Sequence, residues 1–175
     1  MSDPSLPDTL PTPSVMRRLA AFFYEGVLLF GVLMVAGLLY SGLTQMRHAL
    51  HGKFGLQVFL FLVLAVYFAW FWVRGGQTVA MKAWHIRLVD RSGQAVRPGQ
   101  AVARYLLAWL WFIPALLLLW VAEQQGLRPS AAAFITIPSA GLITYAALAR
   151  LHPDRQFLHD VVCGTRLVSW RPAKR

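Results

Sequence analysis

Apolar residues in this chain gather into four long runs, and the charged residues between them are mostly cations. Leu19 to Leu43 carries a single charge, Glu25, and Phe54 to Val73 carries none over 20 residues. Tyr105 to Ala122 has 18 residues with Pro114 inside, and Ala131 to Ala149 has 19 with Pro138 inside. At about 1.5 Å rise per residue, roughly 20 apolar residues cross a hydrocarbon core of about 30 Å. The lengths predict four membrane-spanning helices. Two spans plus re-entrant hairpins is the alternative for the shorter, proline-bearing pair. Core helices of a soluble protein are disfavoured, because too few polar faces remain to cover them.

The pattern changes between the runs. Gln77 to Trp84 reads as a short interfacial helix with Lys82 turned to water and Thr78 as a cap. His85 to Asp90 alternates apolar and polar and meets Arg-Ser-Gly-Gln, which predicts a strand and a tight turn, with Ala95 and Val96 beginning a return strand. Thr165 to Trp170 alternates in the same way. The two strand-like segments are expected to form one small β element beneath the helices, on the side of both termini. Each helix pair opens on an Arg-led span, at Arg18 and Arg104, and closes on Arg-Leu-Val, at Arg87 and Arg166. That echo suggests two hairpins in parallel orientation, related by an axis along the membrane normal. Chance similarity in an Arg- and Leu-rich chain is the competing account.

Composition agrees with the pattern. Of the 175 residues, 57% are hydrophobic and only 14% charged, against about 25% charged in ordinary soluble domains. Mean hydropathy is +0.51. A soluble enzyme, a disordered chain and a disulfide-stapled module are therefore excluded, and Cys163, alone, forms no intrachain bridge and is expected to be small and buried. The net charge of +10 has an uneven distribution. Four spans place 14 Lys and Arg on one side and 3 on the other. Cytoplasmic loops collect cations, so both termini are expected inside, facing anionic lipid, with no need for nucleic acid. Trp70, Trp72, Tyr105 and Trp109 are expected at the inner interface, Tyr40 and Trp120 at the outer one.

Few residues carry chemistry. Glu25 lies two helical turns from Arg18, about 10 Å deeper along one face. A carboxylate there is costly, so it should face the bundle, paired with Arg18 or Arg104. It is either a proton or cation site, or a structural acid holding helices in register. Asp160, near Arg155 and Arg166, reads as a salt bridge or helix cap before any chemistry. His48 with His51, and His152 with Asp154 and His159, lack a third convergent ligand, so no metal and no cofactor is expected. No nucleophile elbow, Walker loop or dinucleotide fingerprint is present. Gly75-Gly76-Gln-Thr reads either as an anion-binding turn or as an ordinary capped surface loop.

Three motifs in order then resemble one family. They are Arg18-Leu-Ala-Ala-Phe-Phe-Tyr-Glu25, then Gly76-Gln-Thr-Val-Ala-Met-Lys82 with Ile86-Arg-Leu-Val, then Leu158-His-Asp160 with Gly164-Thr-Arg-Leu-Val. Together they resemble the RDD family of small bacterial membrane proteins, named for one arginine and two aspartates. Glu25 stands where the family usually has its first Asp, and Ala80 where Gly is common. The resemblance implies an all-α inner-membrane protein with a small cytoplasmic β element. The chain divides into a flexible cytoplasmic tail (1–15), an RDD-like membrane domain (16–170) and a basic tail (171–175). The resemblance also implies transport by cation/proton exchange, and the candidate residues for such coupling are Arg18, Glu25, Arg104 and Asp160. Closely packed helices leave no lumen, so transport would take a homo-oligomer or a membrane-protein partner. A non-enzymatic accessory protein bound to another membrane protein is the other reading. A membrane-embedded enzyme has no motif behind it.

Overall fold

The computed structural model describes residues 10–44, 53–127, 130–151 and 156–171. Expectations placed on His48, His51, His152, Asp154, Arg155 and the outermost tails fall outside that range. Helix α1 (Val15–Leu43) starts where Ser14 accepts a hydrogen bond from the Arg17 amide. Helix α2 (Lys53–Gly75) follows, then α3 (Val79–Ala83), strand β1 (Ile86–Asp90), α4 (Pro98–Ala108), a 3-10 turn (Trp109–Trp111), α5 (Ile113–Gln124), α6 (Ala131–Leu151), α7 (Leu158–Cys163) and strand β2 (Thr165–Ser169).

Helices α1, α2 and α6 are each long and apolar enough to cross a membrane. The third expected span is not one straight helix. It begins earlier, at Pro98, and bends by 46° between the 3-10 turn and α5. Pro114 explains the break: it lacks an N–H and its ring crowds the carbonyl one turn back. The four-span reading holds if this bent pair is a single crossing. Almost none of the apolar stretch of α1, α2 or α6 is buried within the chain. Such faces are stable against lipid and would aggregate in water.

The buried core lies at one end of the bundle, under the sheet. Ile86, Leu88 and Leu167 from the strands pack with Trp72, Met81, Val96, Ala101 and Tyr105. Strands β1 and β2 pair antiparallel, with Ile86 opposite Ser169 and Asp90 opposite Thr165. The expected return strand at Ala95–Val96 does not form. The turn is real, since Asp90 accepts from Ser92 Oγ at 2.7 Å and from the Gln94 amide at 2.8 Å. Only three residues separate Gln94 from Pro98, which opens α4, and β1 takes its partner from the C-terminal end of the chain.

The suspected repeat is visible in the element order: two long helical stretches, a short helix and a strand occur twice. Positions 79 residues apart play matching parts. His85 and Gly164 both adopt left-handed backbone, with φ of 53° and 65°. Gln77 and Gln156 both turn their side chains onto strand backbone, at Ile86 O (2.7 Å) and at Leu167 O (3.2 Å). Leu88 and Leu167, the central pair of the ladder, are also 79 apart, so a local two-fold axis passes between them. The outer edges of the ladder are closed. The Leu88 amide donates to Gly76 O at 2.7 Å, Gln156 Oε1 accepts from the Leu167 amide at 3.1 Å, and the Ser169 amide donates to Pro11 O at 2.8 Å. The last bond also brings the two ends of the described chain together.

Candidate functional site

Two buried acids sit among these elements, with opposite partners. Glu25, in the third turn of α1, is 6% exposed and points inward, as the cost of a carboxylate in hydrocarbon demands. The expectation that it pairs with Arg18 or Arg104 is corrected. Its carboxylate accepts from the Tyr67 hydroxyl of α2 at 2.6 Å and from the Thr78 hydroxyl. Thr78 is the expected cap of α3, accepting from the Met81 amide at 3.2 Å, and is fully buried. One hydroxyl therefore ties the start of α3 to the middle of α1. No ion pair engages Glu25 among the described residues.

Both arginines are used elsewhere. Arg104 lies in the second turn of α4, because the helix begins at Pro98 rather than at Tyr105, and that shift buries it. Its Nε donates to Asp160 Oδ1 at 2.7 Å, and its guanidinium lies 4.3 Å from the centre of the Trp72 ring. Arg18 is buried in the first turn of α1, with its guanidinium 4.6 Å from the Phe157 ring centre and within electrostatic reach of Asp160. Each arginine thus stacks on an aromatic ring from the opposite half of the chain.

Asp160 is wholly buried in the first turn of α7. A salt bridge is expected there, and its partner is Arg104, 56 residues away, rather than Arg166. The Thr165 hydroxyl also donates to Oδ1, at 3.1 Å, and His159 Nε2 lies 3.5 Å from Oδ2. Burial would raise the Asp160 pKa, but the charges of Arg104 and His159 and these hydrogen bonds more than offset it and hold the acid below the ordinary carboxylate range.

His159 stacks in a ladder with Phe157 and Tyr145. Its backbone amide donates to the Tyr145 hydroxyl at 3.2 Å, and that hydroxyl lies 2.8 Å from Nδ1. An oxygen already accepting from the amide satisfies both groups by donating its proton to Nδ1, which leaves the ring hydrogen on Nε2, facing Asp160. Burial pushes the His159 pKa down to about 4, against the opposing pull of Asp160 and with help from Arg104 and Arg18. The ring is neutral at ordinary pH.

The interfacial aromatics divide. Trp70 is exposed, whereas Trp72 and Tyr105 are buried in the core, with the Tyr105 hydroxyl donating to Phe61 O at 2.9 Å. Cys163, expected to be buried, is half-buried at the end of α7, and burial pushes its thiol pKa up. Among the described residues no three His, Cys, Asp or Glu converge on a metal site.

Tyr67, Thr78, His159 and Thr165 were missed as partners of the acids, and Tyr145 as the partner of His159. Only the cap position of Thr78 carried any local signal. Comparison with curated proteins and with solved structures finds no match. The model of the RDD family matches residues 12–164, which takes in both acids, both arginines and strand β1 and ends just before β2, and the chain belongs to the RDD family.

Proposed function

We propose that this RDD-family membrane protein lies in the inner membrane with both termini inside and exchanges a proton at Glu25 for a monovalent cation. The supporting observation is the company Glu25 keeps. A buried carboxylate held by an arginine is locked as an anion, which is the state of Asp160. A buried carboxylate held by two hydroxyls is not, because Tyr67 and Thr78 can each reverse from donor to acceptor as Glu25 gains or loses its proton. Three oxygen-bearing side chains also suit a hard cation better than a soft one. Binding and release suffice, and no covalent step is needed.

Helices packed about 8–10 Å apart leave no lumen, so the path runs along an interface with a second copy of the chain. The reconstituted protein alone should therefore dissipate a pH gradient across liposomes when a monovalent cation is added. Glu25→Gln should fold and lose that flux to background, and Glu25→Asp, the usual family residue, should keep it. Wild-type flux from the Gln variant would overturn the reading. A folded protein with no ion-dependent flux would favour the accessory role instead.

A further inference from the structure

The last two turns of α2 present Trp70 and Arg74 side by side, four residues apart on one face. Trp70 is 54% exposed, and the Arg74 guanidinium lies 3.8 Å from its ring centre. Helix α3 follows after a short turn. It buries Ala80 and Met81 and turns Val79, Lys82 and Trp84 outward. Among the described residues neither the Arg74 nor the Lys82 side chain makes a hydrogen bond or ion pair. From Gly26 to Val89 the chain has no Asp or Glu at all.

We infer that Trp70, Arg74, Lys82 and Trp84 form a docking site for the headgroup of an anionic phospholipid. The depth chooses the ligand. Trp70 ends a membrane-spanning helix, where indole rings settle at the level of the headgroups. The group present at that level in every bilayer is a phosphodiester. Contact with the Trp70 ring restrains the Arg74 guanidinium at this level, and its N–H groups, which no side-chain hydrogen bond or ion pair engages among the described residues, are left to donate to phosphate oxygens. Lys82 adds a second charge on the adjoining short helix. The site holds whichever way the flux experiment ends.

The full chain, purified in detergent and examined by native mass spectrometry, should retain phosphatidylglycerol in preference to phosphatidylcholine. Arg74→Gln with Lys82→Gln should weaken that retention by roughly 30-fold, about fivefold per cation. Arg91→Gln with Arg97→Gln removes the same charge at the end of β1 opposite Trp84 and should leave retention unchanged. Equal loss in both double variants would reduce the effect to net charge and overturn the site. Equal retention of the two lipids, or displacement of the lipid by millimolar inorganic phosphate, would overturn it as well.

Discussion

Asp160 and Arg104 form a charge pair that neither partner can leave cheaply. Asp160→Asn would keep the shape but leave two buried guanidinium groups facing a neutral amide. Breaking one side of a buried pair costs about 3–5 kcal/mol, so this variant should show a large drop in thermal stability in detergent. His159 gives a second, pH-dependent expectation. Its folded pKa, about 4, lies below its ordinary value of 6.5, so the unfolded chain binds the extra proton first as pH falls. The stability it contributes is full above about pH 6.5 and is lost on acidification toward pH 4, on the order of 3 kcal/mol in all. Asp160, also lowered, loses its share further down, below the ordinary carboxylate range. A melting temperature that falls between pH 7 and pH 5 in the wild type, and less so in His159→Gln, is the expected result. The sequence made all four candidate residues visible but not their partners. Arg18, Glu25, Arg104 and Asp160 stand out because charges are rare in such a chain. Their pairing depends on where α4 begins and on partners 42 to 56 residues away, and local spacing carries neither.

At the scale of elements, the link between α2 and α3 rests on Gly76. Its φ is +67°, and a Cβ there would sit 2.5 Å from the carbonyl oxygen of Leu88, at the centre of β1. The backbone term alone is about 1–2 kcal/mol for an L-residue. Gly76→Ala should therefore lower stability by more than that, while Gly75→Ala, which meets nothing within 4 Å, should stay within about 0.5 kcal/mol of wild type. Thermal unfolding of the two variants side by side is the check. The elements themselves were largely legible. Hydropathy located α1, α2 and α6, and alternation located both strands. The bent third stretch was legible only as a proline, since a break of 46° depends on how far the chain can turn at Trp109–Phe112 while packing on α6. The false return strand has a similar origin: alternation reports that a strand exists and is silent about which partner it takes.

For the whole molecule, the shared end of α1, α3, α4, α7 and the sheet makes a topology prediction sharp. Arg17, beside Arg18, donates to Ser169 Oγ at 3.1 Å and to Trp84 O at 2.6 Å, so residues from the start, middle and end of the chain meet in one place. Reporter fusions near Arg91 should read as cytoplasmic, and fusions after Arg47 and Arg128 as external. An external signal at Arg91 would reverse the proposed orientation. The pairing of β1 with β2 also has a consequence for how the protein is made. The first half leaves the ribosome and inserts while β1 still lacks its partner, which is synthesised 79 residues later. Until then Leu88 and Val89, both buried in the finished protein, have only one closed edge and no opposing strand. An unpaired apolar strand is a template for wrong association, and long-range pairing is slow to form. Nascent chains stalled after α6 would therefore carry that strand unpaired, and the few residues of β2 complete the fold of a segment made long before them.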